Sequence, residues 1–520
     1  MKTLLLSGFM GTGKTTVGPL VASRLGLPFV DTDDLVAREA GASIPDLWRR
    51  EGEAKFRERE HAVLERLLGD GTPRVVATGG GTLLARNVRH RALDRAVVVT
   101  LTSSPDEILR RVGDVSTRPN LASSDPARRI ADLLELRAEA YDECHASLAT
   151  DGLDPDDVAQ AVAAVHGRDP VALPLGARTY VVDVVHDSPE SLTDAIARIA
   201  PTSLVVVADA TVRRARGAAL DRALSHLALR QIEVTLPHGE EHKTLASVAT
   251  VWDAALGAGV DRDTLVVAFG GGVTSDIAGF AASTLLRGVR FVAAPTTLLA
   301  MVDASVGGKT GIDHPAGKNL VGTIYQPSGV VIDTAHLMTL PVREIRAGLA
   351  EVVKIALATS ADLFERLEAA GSALLDPAST ALVPIIRESV ALKAAVVRDD
   401  ERDNGRRALL NLGHTIGHAL EASTGFHKWL HGEAVALGLV RELELTAASG
   451  LTPPDLVART EGLLRKIGLP TRATADELRS AARFVGADKK RRGAHLALPV
   501  VTSLGIADVR DFPPSALRGG

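Results

Sequence analysis

The stretch LLLSGFMGTGKT, residues 4–15, decides the fold of the first part of the chain. An apolar run precedes Gly8, and the residues from Gly8 to Thr15 match the pattern G-x-x-x-x-G-K-[ST], before a helical pattern that continues to Leu25. Glycines let the backbone N–H groups of such a loop turn toward phosphate oxygens at the positive end of a helix dipole. The stretch therefore predicts a P-loop, with Lys14 reaching the β and γ phosphates and Thr15 binding Mg²⁺.

A P-loop indicates a nucleotide but does not identify the group that accepts the phosphoryl group. In FVDTDD, Asp31 and Asp33 lie two residues apart at the end of a predicted strand. One carboxylate could orient Mg²⁺ through water while the other takes a substrate hydroxyl, or both could simply cap the next helix. Three arginines follow, Arg57, Arg118 and Arg137. The carboxylate of a small anionic acceptor is best bound by two guanidinium groups that can each form bidentate hydrogen bonds. The nucleotide itself is predicted to contact Gly11, Thr12, Gly13, Lys14, Thr15 and Thr16.

The composition restricts the class of protein. A chain of 520 residues is long enough for several domains. A composition with 46% hydrophobic and 3% aromatic residues favours α/β packing. The net charge of −5 argues against a nucleic-acid partner, and no apolar run reaches membrane-spanning length. The single cysteine, Cys144, is typical of a reducing compartment, and the N-terminal apolar run is too short for a signal peptide. We expect a soluble, cytoplasmic protein without a membrane partner.

The order of strands and helices predicts two α/β units. Strand-like runs and helices alternate up to about Val165, which gives a first domain over residues 1–166. Residues 167–175 carry prolines and a glycine without periodicity and are predicted to be a linker. The alternation restarts over residues 176–335 and becomes almost entirely helical over residues 336–520.

A second glycine-rich turn, in VVAFGGGVTSDIAGF at residues 266–280, follows a predicted strand and opens a helix. It lacks Gly-x-Gly-x-x-Gly, so by itself it is as typical of a structural turn as of a dinucleotide site. Asp209 also follows a strand, where a carboxylate could accept from a ribose hydroxyl. In the glycine-rich stretch 295–322, closely spaced lysines would repel one another unless a phosphate or carboxylate lay between them. The stretch carries Asp303, Lys309, Lys318 and Asn319.

Histidines in LLNLGHTIGHALEASTGFHKWLHGEAVALG, residues 409–438, indicate a metal site. His414 and His418 are four residues apart, the spacing that places two imidazoles on one helix face, so spacing alone nominates this pair as ligands. A buried pair of structural histidines has the same spacing, and that alternative stays open. Glu351 on another predicted helix and His431 at the start of a third offer further ligands.

Residues 1 to about 165 resemble shikimate kinase through the P-loop, FVDTDD, EAKFRERE, ATGGGTLL, STRPNL and LRAEAY. The resemblance implies a nucleoside-monophosphate-kinase-like α/β fold that uses ATP with Mg²⁺. Asp31 would act on Mg²⁺ through water, and Arg118 would lie in a mobile lid over the ATP phosphates. The implied shikimate-binding residues are Asp33, Arg57, Gly79, Gly80, Gly81 and Arg137. The implied catalytic residues are Lys14, Asp33 and Arg118, acting by positioning and charge neutralisation.

Residues from about 175 to at least 500 resemble 3-dehydroquinate synthase through GGGVTSDIAGF, VDASVGGKTGID, GKNLVG, AEVVK and LNLGHTIGHALE. The resemblance implies an α/β NAD-binding half and an all-helical metal-binding half. Zn²⁺ or Co²⁺ would be bound by Glu351, His414 and His431, so His418 would face the substrate instead. The implied NAD⁺ contacts are Asp209, Glu240, Lys243, Gly271, Gly272, Asp276, Thr296, Thr297, Asp303 and Lys318. The implied substrate contacts are Arg287, Lys309, Asn319, Lys354, Lys393, Arg407, Asn411, His418 and either Lys489 or Lys490, of which Lys309, Lys354, Arg407 and His418 would be catalytic.

Together the resemblances imply a bifunctional enzyme of the shikimate pathway. It would phosphorylate shikimate with ATP and would convert 3-deoxy-D-arabino-heptulosonate 7-phosphate to 3-dehydroquinate and phosphate, as a homodimer formed through the synthase unit. Two alternatives stay open. The second half is also similar to iron-dependent alcohol dehydrogenases and glycerol dehydrogenases, which carry out net redox reactions, or one unit could be an inactive regulatory module. The complete P-loop and the complete metal-ligand set favour two active units.

Overall fold

The chain divides into two units in the computed structural model, which describes residues 1–113, 121, 125–377, 380–403, 405–484, 491–492 and 495–512. The first unit is Met1–Val181 and the second is Val182–Gly520. The predicted linker, residues 167–175, falls near the end of the first unit and contains a short strand, Val171–Leu173. The exact domain limits stay predictions.

The first unit is built around five parallel strands in the order β2-β3-β1-β4-β5. Alternate residues of the central strands belong to two apolar cores, with Leu5 and Val98 in one and Leu4 and Val97 in the other, so both faces of the sheet are covered. The strands are β1 Thr3–Ser7, β2 Phe29–Asp31, β3 Val75–Ala77, β4 Ala96–Thr102 and β5 Ala146–Ala149, followed by β6 Val171–Leu173. The helices are α1 Lys14–Leu25, α2 Thr32–Ala40, α3 Ile44–Gly69, α4 Arg86–Arg95, α5 Pro105–Val112, α6 Pro126–Asp142 and α7 Pro155–Arg168.

The predicted strand, loop and helix of the P-loop are confirmed, because β1 ends at Ser7 and α1 begins at Lys14. Three glycines of the loop, Gly8, Gly11 and Gly13, have positive φ angles of 128°, 77° and 95°. L-residues with a side chain rarely adopt these angles, so the loop conformation depends on glycine. The loop follows the central strand of the sheet, at its carboxyl end.

The α/β half of the second unit contains six parallel strands in the order β7-β14-β11-β10-β8-β9, and an antiparallel hairpin of β12 and β13. The strands are β7 Tyr180–Val185, β8 Ser203–Asp209, β9 Arg230–Leu236, β10 Leu265–Gly270, β11 Arg290–Pro295, β12 Lys309–His314, β13 Gly317–Ile324 and β14 Gly329–Asp333. The helices of this half are α8 Glu190–Ile199, α9 Ala210–Ser225, α10 Leu245–Gly257 and α11 Gly272–Thr284. The predicted α/β fold is confirmed here.

Helices dominate the rest of the second unit, as predicted, but this half is not all-helical. An antiparallel sheet in the order β15-β16-β17 follows the last helix. Pro499 lies inside β16 and conceals the strand pattern, since proline cannot donate to a sheet hydrogen-bond ladder. No helix in the described parts of the chain is long and apolar enough to cross a membrane. The elements are α12 Val342–Thr359, α13 Ala361–Ala370, α14 Leu382–Asp399, α15 His414–Ser423, α16 His431–Ala448, α17 Pro454–Ile467, α18 Ala475–Ala481, β15 Arg491–Arg492, β16 His495–Ser503 and β17 Ile506–Phe512.

Helices α15 and α16 pack backbone against backbone. A Cβ atom added at Gly438 of α16 would lie 1.9 Å from the carbonyl oxygen of Gly413 and 2.9 Å from the amide nitrogen of Gly417. This close approach brings together the first residues of the two helices, His414 and His431, whose ring centroids are 5.2 Å apart. The glycine contact therefore positions two of the predicted metal ligands.

The close packing predicts that Gly438→Ala destabilises the second unit. The added methyl group would overlap the Gly413 carbonyl and force the helices apart, at a cost of about 1–3 kcal/mol or more. Calorimetric unfolding of the full chain measures the change as a lower unfolding midpoint of this unit. Gly462→Ala is the matched control, since Gly462 lies within α17 and a Cβ there meets no atom within 4 Å. That variant should be neutral or more stable by about 0.5–1 kcal/mol, and equal midpoints for the two variants would contradict the close packing.

Candidate active sites

The first candidate site is the P-loop between β1 and α1. The ammonium group of Lys14 donates hydrogen bonds to the carbonyl oxygens of Gly8 at 2.7 Å and Phe9 at 2.8 Å, so it lies over the loop. The exposed hydroxyl of Thr15 donates to Oδ2 of Asp31 at 3.1 Å. Oxygen atoms are the ligands that Mg²⁺ prefers, and the loop supplies backbone N–H groups at a helix N-terminus. The arrangement can hold the phosphates of a Mg²⁺-bound nucleotide.

Asp33 is a half-buried residue beside this loop. Its Oδ1 atom has no hydrogen-bond partner among the described residues. Burial and the nearby carboxylates of Glu60 and Asp31 raise the pKa of Asp33 to about 6, although Lys14 and Arg57 act to lower it. An unpartnered carboxylate with a raised pKa can accept the proton or hydrogen bond of a substrate hydroxyl.

The glycine loop that follows β3 approaches Asp33 closely. A Cβ atom at Gly79 would lie 2.1 Å from Oε1 of Glu60 and 2.8 Å from Oδ1 of Asp33. A Cβ atom at Gly81 would lie 2.3 Å from the guanidinium of Arg57. Arg57 forms an ion pair with Glu60, so its fork is held beside the loop. Side chains at these glycines would therefore overlap Glu60, Asp33 and Arg57.

Arg137 reaches the same loop from α6. Its Nη1 atom lies 3.5 Å from the carbonyl oxygen of Gly80, and its guanidinium carbon lies 5.4 Å from the ring centroid of Phe9. The hydroxyl of Tyr141 donates to the same carbonyl at 2.6 Å. The structure thus brings together the predicted shikimate-binding residues Asp33, Arg57, Gly79, Gly80, Gly81 and Arg137. Arg118 lies outside the described residues.

The second candidate site is a cavity of 1910 Å³ in the second unit. Residues from the α/β half and from the helical half line it. Predicted site residues in its lining are Asp209, Glu240, Lys243, Gly271, Gly272, Asp276, Thr296, Thr297, Asp303, Lys309, Lys318, Asn319, Asn411, His418 and His431.

A fully buried glutamate and two histidines converge in the helical half. Oε1 of Glu351 lies 3.7 Å from Nε2 of His414 and 3.5 Å from Nε2 of His431. Nδ1 of His414 lies 3.2 Å from the carbonyl oxygen of Leu412. Nδ1 of His431 lies 3.3 Å from Oε2 of Glu421. Each ring therefore donates from Nδ1 and turns Nε2 toward Glu351, as metal-bound histidines do.

These three side chains fit a divalent cation. Oε1 of Glu351 accepts no hydrogen bond within the described part of the chain, although the residue is 0% exposed. His418 is exposed toward the cavity, and one ring nitrogen from each of His414, His418 and His431 lies within 4.8 Å of the others. Glu351, His414 and His431 match a cation better than the three histidines do, because the cation would neutralise the buried charge of Glu351. His418 can then contact the substrate.

Buried cations of the second unit include Lys354, Lys393 and Arg407, and the first of these pairs with this carboxylate. Lys354, 1% exposed, forms an ion pair with Oε2 of Glu351. Lys393 lies 2.5 Å from Oδ1 of Asp303, and burial lowers the pKa of Lys393 to about 8 although Asp303 opposes the shift. Arg407, 3% exposed, donates to the carbonyl oxygen of Gly307 at 2.9 Å. These fixed positive groups can bind an anionic substrate without a large loss of side-chain entropy.

The α/β half offers a site for a dinucleotide. Gly271 caps α11, whose N-terminus faces the cavity. The hydroxyl oxygens of Ser275 and Thr296 are buried without a hydrogen-bond partner among the described residues. Asp209 caps α9 through Oδ1, and its Oδ2 atom lies 3.0 Å from Nδ1 of His238. A helix N-terminus with unpartnered hydroxyl groups suits a pyrophosphate.

Four of the described residues predicted to contact the substrate do not line this cavity: Arg287, Lys354, Lys393 and Arg407. Arg287 is exposed in the turn after α11, has a φ of 70°, and does not line the cavity. Lys489 and its alternative Lys490 lie outside the described residues. Lys309 lines the cavity and forms an ion pair with Asp403.

Three functional candidates are absent from the predictions. Glu60 forms an ion pair with Arg57, and the hydroxyl of Tyr141 donates to the carbonyl oxygen of Gly80 in the glycine loop. Glu421 lies 3.3 Å from Nδ1 of His431. Spacing could have revealed Glu421, because it follows His414 by seven residues and shares its helix face. Glu60 follows Arg57 by three residues in α3. For Tyr141, no sequence pattern identifies the contact.

Comparison with known proteins identifies both units. Sequence profiles match residues 10–166 to shikimate kinase, residues 233–347 to the N-terminal part of 3-dehydroquinate synthase and residues 348–491 to its C-terminal part. A 3-dehydroquinate synthase from Gloeobacter violaceus is 46% identical over 310 residues, 59% of this chain and 85% of the relative.

Two solved structures resemble the second unit. The 2-epi-5-epi-valiolone synthase of Streptomyces hygroscopicus, with NAD⁺ and Zn²⁺ bound, is 30% identical with a TM-score of 0.59, and the match covers 65% of this chain and 94% of the other. A 2-deoxy-scyllo-inosose synthase, complexed with carbaglucose-6-phosphate, NAD⁺ and Co²⁺, is 26% identical with a TM-score of 0.61 over 67% and 98% of the two chains.

The chain therefore belongs to the 3-dehydroquinate synthase family and carries a shikimate kinase domain ahead of the synthase unit, so that one polypeptide contains both enzymes.

Proposed function

We propose that the first unit transfers the γ-phosphoryl group of ATP to shikimate. The observation that carries this proposal is the position of Asp33 and Arg57 beside a glycine loop that itself packs on the P-loop. A Cβ atom at Gly80 would lie 3.4 Å from the carbonyl oxygen of Gly8. The acceptor side and the phosphate side of the pocket are thus neighbours.

In this proposal Asp33 accepts the hydrogen bond of the attacking hydroxyl, while Arg57 and Arg137 bind the shikimate carboxylate. Lys14 would give up its hydrogen bonds to the carbonyl oxygens of Gly8 and Phe9 and would bind the transferring phosphoryl group instead. Thr15 would hold Mg²⁺ directly and Asp31 would do so through water, and the ion would supply charge neutralisation at the phosphates. Positioning and charge neutralisation supply most of the rate enhancement, since little covalent chemistry is left to the protein.

We propose that the second unit converts 3-deoxy-D-arabino-heptulosonate 7-phosphate to 3-dehydroquinate and phosphate. The observation that carries this proposal is Oε1 of Glu351 within reach of Nε2 of both His414 and His431, at 3.7 and 3.5 Å. Related synthases bind NAD⁺ with Zn²⁺ or Co²⁺, and we assign the same cofactors to this chain.

The residues of the second unit have distinct roles in this proposal. Glu351, His414 and His431 would hold the cation, which supplies Lewis-acid polarisation of a substrate hydroxyl. The α11 turn would hold NAD⁺, which supplies reversible hydride transfer and is not consumed. Lys354, Lys393, Arg407, Lys309, Asn319 and Asn411 would bind the carboxylate and phosphate of the substrate, and His418 would move protons.

We infer that the chain forms a homodimer through its synthase unit. Three apolar side chains of the β13 strand are exposed, Leu320 at 43%, Val321 at 41% and Ile324 at 41%. Exposed apolar side chains grouped on one element are typical of protein interfaces. The expected cytoplasmic location stays a prediction.

The two sites predict that Lys14→Ala and His414→Ala separate the activities. Lys14→Ala should lower shikimate phosphorylation by about a hundredfold or more, because it removes a cation from the transferring phosphoryl group, and should spare the synthase reaction. His414→Ala should abolish phosphate release from the heptulosonate and spare the kinase. Coupled assays of ADP and phosphate measure both.

The controls are Lys55→Ala and His427→Ala, which alter exposed residues of the same types. Loss of both activities in either test variant would contradict independent sites. A net change of absorbance at 340 nm during synthase turnover would instead support a dehydrogenase.

Asp33→Asn should inactivate the kinase and stabilise its unit. The pKa of Asp33 is about 6 in the folded chain and 3.8 in the unfolded chain, so the folded carboxyl binds its proton at a higher pH. The charge of Asp33 therefore destabilises the fold above pH 6, and this destabilisation is lost as the pH falls toward 3.8. At pH 7.5 the variant should gain up to about 3 kcal/mol. Thermal unfolding against pH measures the gain, and kcat/KM of the unaltered kinase should fall below pH 6. Asp34→Asn, at the exposed neighbour, should show neither effect.

The dimer proposal predicts that the full chain sediments at twice its mass of 54.5 kDa. The double variant Val321→Asp with Ile324→Asp should shift it to the monomer, because charge would be buried at the interface. Leu256→Asp is the control, since Leu256 is exposed on α10. A monomer before substitution, or a dimer that survives both changes, would refute this interface.

A further inference from the structure

We propose that Glu421 is a positioning residue that fixes the ring of His431 for cation binding. The proposal rests on the cation site proposed above and goes beyond it, because it assigns a role to a carboxylate outside the ligand set. Glu421 is 3% exposed and lies in α15, while His431 begins α16. One contact therefore joins the two helices that carry the histidines.

The imidazole of His431 lies between two carboxylates. Its Nε2 atom is 3.5 Å from Oε1 of Glu351, and its Nδ1 atom is 3.3 Å from Oε2 of Glu421. A ring that offers its Nε2 lone pair to a cation must carry its proton on Nδ1, and that proton needs an acceptor. Glu421 is the acceptor that the geometry provides. It therefore sets both the tautomer and the ring orientation.

The two histidines differ in their outer acceptors. Nδ1 of His414 faces the neutral carbonyl of Leu412 at 3.2 Å, whereas Nδ1 of His431 faces a carboxylate. A charged acceptor makes the imidazole a stronger ligand than a neutral one does. Removing the charge of Glu421 should thus weaken the cation site even where the shape of the side chain is retained.

The burial of Glu421 is compensated from the α/β half. Nζ of Lys318, in β13, lies 3.6 Å from Oε1 of Glu421 and 3.3 Å from Oε1 of Glu240. The same ammonium lies 4.5 Å from the ring centroid of Phe426. An opposite charge this close favours the ionised form of a buried carboxylate. Lys318 therefore permits Glu421 to serve His431 as an anion.

The test is Co²⁺ affinity of the metal-free full chain, measured by chelator competition, together with the visible spectrum of the bound ion. Glu421→Gln keeps the shape and removes the charge, and it should weaken Co²⁺ binding by roughly tenfold and shift the ligand-field bands. Glu421→Ala should weaken binding by up to about a hundredfold. Glu368→Gln, which removes the partner of Arg459 in another part of the helical half, should change neither readout.

Two comparisons make the outcome decisive. Unchanged affinity and spectrum in Glu421→Gln, alongside lost binding in His414→Ala, would overturn the role of Glu421 and leave the cation site in place. Unchanged affinity in both variants would overturn the cation site itself. Thermal unfolding of the metal-free variants shows whether the fold is retained, and rescue of affinity by Glu421→Asp would support the carboxylate as the group that acts.

Discussion

The synthase unit depends on the buried charge of Glu351. A carboxylate that is 0% exposed is costly unless other charges compensate it. Lys354 lies three residues away on the same helix and pairs with one oxygen, and the other oxygen faces two imidazole nitrogens. A divalent cation between them would complete the compensation. The packing of three helices around this point follows from that requirement, since each contributes one ligand from a fixed position.

Glycines in the helical half make this geometry possible. The backbones of α15 and α16 touch at Gly438 and Gly413, and the rings of His414 and His431 lie 5.2 Å apart. Glu421 then joins the same helices through a side chain, and Lys318 of the α/β half supports Glu421. Backbone contact, ligand placement and the link to the cofactor half are therefore parts of one arrangement.

The kinase unit places its charges differently. Asp33 has two carboxylates nearby, Glu60 and Asp31, and its pKa is raised to about 6 by burial and by these charges. Such a cluster reduces the stability of the free protein and prepares a strong acceptor for a hydroxyl group. The positive charges of Arg57 and Lys14 offset part of this destabilisation.

The P-loop, the two α/β units and, through long motifs, both enzyme families could be predicted from the residues alone, because phosphate-binding loops and parallel strands have local sequence patterns. The sequence did not reveal β16, where Pro499 interrupts the pattern. Spacing nominated His418 as a ligand and could not show that Oε1 of Glu351 lies 3.7 Å from Nε2 of His414 and 3.5 Å from Nε2 of His431. Only the tertiary structure decided which side chains meet: Glu421 with His431, Glu60 with Arg57, and the exposure of Arg287 away from the cavity. Contacts between distant helices depend on backbone packing at glycines, and no local pattern of residue types encodes that distance.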